Sequence, residues 1–254
     1  DLQRDKLRTS IPSSSRIPNR KLVIHAMGGN LFNESAGRIS RIGGGVNYSF
    51  HYPVSIKSNI RLATGIAATI ENTKVRLREA YLGANPDPDP FYENLVNNGV
   101  NYTSLGVRAG ALLYSPSFYF GLSYLPLVHS VLGNSNGMST EAYYRGSVQA
   151  GVSFPMSPAV DVKPSVMGIL QMNDEFSVDY NLKAVLQKKF YVGLGYRSIK
   201  SVVSLIGFNV KEKLIPTYSY EFSADKVRQF GDGSHEIVLN MKLSGFSNYN
   251  PAIW

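Results

Sequence analysis

The sequence predicts an all-β protein, a transmembrane outer-membrane β-barrel of about 14 antiparallel strands. Large apolar residues alternate with small or polar ones at period two along most of the 254 residues. Gly (23), Tyr (16) and Phe (12) are plentiful, while charged residues make up 17%, below the roughly 25% of soluble domains. No helix-period window of convincing length interrupts the pattern, and no apolar run reaches the 18 or so residues of a membrane helix. That excludes a helical span and leaves a span built of strands, whose alternation keeps hydropathy near neutral.

The chain begins with a basic, Pro- and Ser-containing segment, 1–20, expected to be an extended arm or plug piece. Arg4, Lys6, Arg8, Arg16, Arg20 and Lys21 place six of the 26 basic residues in the first 21, within a formal net charge of +8. Such a segment suits an acidic partner or an anionic surface. Nothing resembling a zinc finger or an RNA-binding signature points to nucleic acid. No apolar signal-peptide core follows Asp1, so any secretion signal is expected to lie upstream of it.

The barrel is expected over 21–243. In "GVNYSFHY", Val46, Tyr48, Phe50 and Tyr52 share one face, and Gly45, Asn47, Ser49 and His51 the other. "NIRLATGIAATI" and "YTSLGVRAGALL" follow, separated by a Pro-stiffened "NPDPDP" loop. In "SFYFGLSY", Phe118, Phe120, Leu122 and Tyr124 oppose Ser117, Tyr119, Gly121 and Ser123. "GNSNG" turns the chain into "SVQAGVSF", where Val148, Ala150, Val152 and Phe154 oppose Ser147, Gln149, Gly151 and Ser153. Beyond the "FPMSP" turn come "VDVKPSVMGIL", "FSVDYNLKAVL", "FYVGLGYR", "SVVSLIGFNV", "PTYSYEF" and "HEIVLNMKL". Residues 244–254 carry few strand features and read as a tail.

The second face separates two architectures. A sandwich sends bulky residues inward and charges to solvent. Here the second face is rich in Gly, Ser, Asn and isolated charges, with Tyr and Phe near strand ends. A barrel with a lipid-facing apolar face and a polar lumen fits this pattern and satisfies every backbone donor. A soluble all-β domain stays open as the alternative.

Several constellations resemble chemistry. "GDGSHEIVLNMKL" gathers Asp232, Ser234, His235 and Glu236. On a strand, Ser234 and Glu236 point to one face and His235 to the other, so a nucleophile and its base cannot meet there. His25, His51 and His129 stand alone, without metal-site spacing. Asp87 and Asp89 lack the further oxygen ligands and glycine of a calcium loop. Glycine pairs such as Gly193 and Gly195 lack the helix that a phosphate loop needs. Cysteine is absent, which excludes disulfides and thiolate sites. The expectation is therefore no enzyme, no catalytic residue, no metal and no cofactor.

Four ordered blocks resemble one family. "GGNLFNESAGRISRIGGGVNYSFHYPVS", "FYFGLSYLPLV", "YVGLGYRSIKSVVSLIGFNVKEKL" and "TYSYEFSADKVRQFGDGSHEIVLNMKL" are similar, from about Met27 to Leu243, to the PorP/SprF family of type IX secretion and gliding-motility outer-membrane proteins. Asn33, Gly37, Ser40, Tyr220, Gly233, Ser234, His235 and Glu236 match its motif and are read as fold and lumen-network positions.

The resemblance implies a barrel of about fourteen strands in the outer membrane of a Bacteroidetes-type bacterium, with no catalytic residues. It also implies protein partners: subunits or a lipoprotein of the periplasmic secretion ring, or the C-terminal domain of a secreted adhesin. An Asn-Pro-Ala-containing segment that usually precedes the family's first strands is missing here, so a strand or plug piece is expected ahead of Asp1. Arg4, Lys6 and Arg8 in the arm, and Tyr249 and Trp254 in the tail, are the candidate partner contacts, because chain ends bind without disturbing closure. A channel for small solutes or lipids is the competing function; a hydrolase built on Ser234 or His235 is disfavoured by the opposed faces.

Overall fold

A computed structural model describes residues 11–13, 23–36, 39–75, 100–132, 145–171, 176–187, 189–198, 200–210, 214–223, 233–241 and 250–252. The strands are β1 (Ile11–Ser13), β2 (Ile24–Ala36), β3 (Ile39–Ser55), β4 (Ile60–Val75) and β5 (Val100–Tyr114). They continue with β6 (Phe118–Leu132), β7 (Arg145–Val152), β8 (Phe154–Ser157), β9 (Val160–Gln171) and β10 (Phe176–Leu186). The last are β11 (Phe190–Arg197), β12 (Ser201–Phe208), β13 (Leu214–Ser223), β14 (Ser234–Met241) and β15 (Asn250–Ala252). Among the described residues every element is a strand, and no helix is long and apolar enough to cross a membrane.

One antiparallel sheet of 13 strands runs from β2 to β14 in chain order, in line with the expected count of about fourteen. Successive neighbours pair as an up-and-down meander, the simplest outcome for alternating segments joined by short turns. β7 and β8 make a single passage broken at Ser153, whose amide donates to the Ser117 carbonyl at 2.7 Å, and both pair with β9. Register shifts at Pro53/Ser55, Val107/Ala109 and Pro155/Ser157 mark further irregularities. β1 pairs separately with β15, so chain from before β2 meets chain from after β14.

The β2 strand was hidden in the sequence. Gly28, Gly29, Asn30, Asn33 and Glu34 dilute its alternation, yet it pairs with β3 over its whole length, Ile24 opposite His51 and Ala36 opposite Ile39. Here the partner strand decides the conformation, as β-propensity is largely a matter of context.

The meander puts connections at two rims. At the first rim lie 56–59, 115–117, 158–159, 187–189 and 209–213, all short. Asn59 (φ 52°) and Gln187 (φ 50°) take the left-handed conformation that such tight reversals use. At the second rim lie 37–38, 76–99, 133–144, 172–175, 198–200 and 224–233. β2 starts, and β14 ends, at the first rim.

Burial is inverted relative to a soluble protein. Arg61 is 1% exposed and Lys183 5%, whereas Leu194 is 63% exposed and Val46 68%. The longer strands show this split, as in β11, where Phe190, Val192, Leu194 and Tyr196 are exposed and Tyr191 is buried. Strand contacts of any extent, among the described residues, join ladder neighbours only. Among the described residues no second layer covers the polar face; its own side chains do. A sheet that buries charge and exposes aliphatic surface suits a wall in contact with lipid.

Most of the exposed aromatics fall into two belts. Tyr52, Phe120, Phe154, Phe190 and Phe208 lie towards the first rim and Phe176, Tyr180 and Tyr196 towards the second, with Tyr48, Phe50, Tyr124 and Tyr218 nearer mid-strand. Ring side chains with an apolar body suit the two membrane–water interfaces.

Candidate functional site

Among the described residues the polar face carries the buried charges, and it is organised as side chains lying flat across neighbouring strands. Glycines make this possible. The Tyr191 ring lies where a Cβ on Gly207 would be, and its hydroxyl is hydrogen-bonded to Thr217 two strands away. Tyr119 covers Gly151 in the same way, and the Asn181 amide oxygen lies 2.6 Å from where a Gly195 Cβ would sit. Tyr114 and Tyr119 form a small buried cluster with Ala63, against which Leu112 packs.

Two ion-pair networks lie towards the second rim. Arg41 donates through Nε to Glu71 Oε1 at 2.7 Å, Thr73 donates to the same oxygen at 3.1 Å, and Glu34 Oε2 lies 3.8 Å from Arg41 Nη1. Arg197 Nη1 donates to both oxygens of Glu221, at 3.1 and 3.2 Å. Ser201 donates to Glu221 Oε1 at 2.9 Å, and Asp179 Oδ2 lies 3.6 Å from Arg197 Nε. Glu221 on β13 thereby ties three strands through Arg197 on β11 and Ser201 on β12, while Arg41 on β3 links Glu71 on β4 with Glu34 on β2.

Towards the first rim the polar face is more basic and aromatic. His51 Nδ1 and the Tyr114 hydroxyl are hydrogen-bonded at 2.9 Å, and His51 Nε2 lies 3.1 Å from Ser49 Oγ. Lys183 and Lys163 are direct cross-strand partners, with Lys183 Nζ 4.4 Å from the centre of the Tyr191 ring.

Of the sequence-matched positions, Ser234 and Glu236 face the polar side, and His235 faces the other. His235 Nδ1 is hydrogen-bonded to the Tyr218 hydroxyl at 2.7 Å and its ring centre is 4.8 Å from that of Tyr220, so the three form one aromatic cluster on the apolar face. The arrangement separates Ser234 from His235 as strand alternation requires. Asn33 and Ser40 are exposed on the apolar face beside the β2–β3 connection. Gly233 has φ 107° and releases the chain into β14, a conformation that disfavours a side chain. Gly37, Arg4, Lys6, Arg8, Tyr249, Trp254, Asp87, Asp89 and Asp232 lie outside the described residues.

Local pattern hardly signals the residues that organise the face: Arg41, Glu71, Asp179, Lys183, Arg197 and Glu221. Each is an isolated charge among Gly, Ser and Asn on the small-residue face, and that isolation was the available signal. Among the described residues, no three His, Asp or Glu side chains gather as a metal site.

No curated protein matches the chain. A family model described as type IX secretion system membrane protein PorP/SprF matches residues 8–241, nearly the whole sequence and every strand from β2 to β14. A sheet with its charges turned inward and its aliphatic face outward is what a membrane component of that kind requires, and the chain belongs to the PorP/SprF family of type IX secretion system membrane proteins.

Proposed function

We propose that this protein is an outer-membrane barrel that acts by holding protein partners, joining the membrane to the periplasmic secretion ring or to a secreted or anchored adhesin. The observation that carries this reading is the filled polar face: Tyr191, Tyr119 and Asn181 lie flat over glycines, and Arg41–Glu71 and Arg197–Glu221 tie strands together. These groups serve the wall, and a scaffold needs a rigid wall more than a wide bore. Short connections at the first rim and longer ones at the second match the periplasmic turns and extracellular loops of bacterial barrels. On that reading both chain ends face the periplasm, where a secretion ring would meet them.

Affinity purification from native membranes tests the reading. Co-recovery of ring subunits or of an adhesin supports it, and recovery of the barrel alone overturns it. Planar bilayers separate the channel alternative: steady open pores would favour solute passage, and a closed barrel the scaffold.

A further inference from the structure

Strand length divides the sheet into a tall side and a low side. β2 to β5 run for 13, 17, 16 and 15 residues, whereas β12 and β14 have 8 each. A tilted strand needs about 9–11 residues to cross the hydrocarbon layer. On β4 the mainly apolar outer face runs from Ile60 to Ile70, and on β5 from Leu105 to Leu113, spans of that length. Beyond them, towards the second rim, the same face turns polar: Asn72 and Lys74 on β4, Thr103 and Asn101 on β5, Ser40 on β3 and Asn33 on β2. The extension of about four residues is roughly 13 Å of strand, or about 10 Å of height at a tilt near 40°. The interfacial layer of an ordinary phospholipid bilayer is only about 5–7 Å thick on each side.

The extension is built to donate hydrogen bonds. Asn72 Nδ2 donates to Asn101 Oδ1 at 2.9 Å and to Thr103 Oγ1 at 3.1 Å. With those oxygens accepting, the Asn101 amide and the Thr103 hydroxyl turn their own hydrogens outward. Lys74 is exposed and stands directly opposite Ser40 on one side and Asn101 on the other. Among the described residues this outer patch contains no acid, because Glu34 and Glu71 meet Arg41 on the opposite face. Below the patch lies the aliphatic row of Leu31, Ile70 and Leu105, each exposed. A molecule whose apolar tail rests on that row carries its head against the donors.

We propose that this patch binds the phosphorylated saccharide headgroup of a glycolipid in the leaflet at the second rim; the inference rests on that rim facing outwards, as in the function proposed above. An ammonium group and fixed amide and hydroxyl donors suit phosphate and sugar oxygens. The patch is also taller than a phospholipid headgroup and continuous with the lipid-facing band. It looks sideways over the bilayer, where a lipid lies alongside it.

The test is native mass spectrometry of the full chain released from bilayers of equimolar rough-type lipopolysaccharide and phosphatidylethanolamine. The unaltered protein is expected to retain the glycolipid in preference to the phospholipid. The Asn72→Ala/Lys74→Gln/Asn101→Ala/Thr103→Val variant is expected to retain about tenfold less, the scale of one hydrogen bond to a charged group. A first-rim control, Lys57→Gln/Lys189→Gln, removes more charge and should retain as much as the unaltered protein. Heat-modifiable mobility on a gel verifies that each variant is folded. No preference in the unaltered protein overturns the inference and leaves the patch to a protein partner. Equal loss in both variants also overturns it, because retention would then follow total charge. Orientation is read separately by labelling Ser35→Cys, beside the patch on β2, in intact cells with a membrane-impermeant maleimide. Protection from the label fails the outward reading of the second rim; labelling without glycolipid retention fails the inference alone.

Discussion

The hydroxyl of Tyr191 on β11 is hydrogen-bonded to that of Thr217 on β13, reaching across β12 where Gly207 leaves room. One side chain therefore fastens three strands on the polar face. A Cβ at position 207 would occupy the place of the Tyr191 ring. Gly207→Ala should lower stability by about 1–3 kcal/mol, as overpacking does, measured by urea unfolding in lipid vesicles. Adding Tyr191→Ala should cost less in the Gly207→Ala background than alone, because removing the ring relieves the clash.

The Glu71 carboxylate collects Arg41 and Thr73 at 2.7 and 3.1 Å. Glu71→Ala should cost about 2 kcal/mol, the scale of hydrogen bonds to a charged group. The Arg41→Ala/Glu71→Ala double variant should lose less than the sum of the singles, and full additivity would mean that the two are not coupled.

Ile66 stands near the middle of β4, on the exposed apolar face. Ile66→Arg should destabilise the protein by about 2–4 kcal/mol if that face meets the bilayer interior. The same change on a water-facing strand costs within about 0.5 kcal/mol. Reversible unfolding in vesicles distinguishes the two.

His235 contributes ring contact with Tyr220 and a hydrogen bond to Tyr218. His235→Phe should keep most of the stability, whereas His235→Ala should lose about 0.5–1.5 kcal/mol of aromatic packing. Ester hydrolysis by the unaltered protein that disappears in both variants would contradict this assignment.

Much of the fold was legible because period-two alternation is set locally: the faces of Val46–Tyr52 and Phe118–Tyr124 follow from neighbouring residue types alone. The separation of Ser234 from His235 is readable for the same reason. β2 was not readable, since its glycines and asparagines take strand geometry only against β3. Nor were the polar-face networks. Arg41 lies 30 positions from Glu71, and Arg197 lies 24 from Glu221, so their meeting depends on pairing register rather than local pattern.

Because β2 begins and β14 ends at the same rim, the sequence can be lengthened at either terminus without changing how many times it crosses the sheet's width. Domains grafted directly before β2 and after β14 would start from one rim, and a protease admitted on that side would meet both. A reporter inserted within 76–99 would surface in the other. The wall can thus stay fixed while cargo or docking modules are exchanged at its ends.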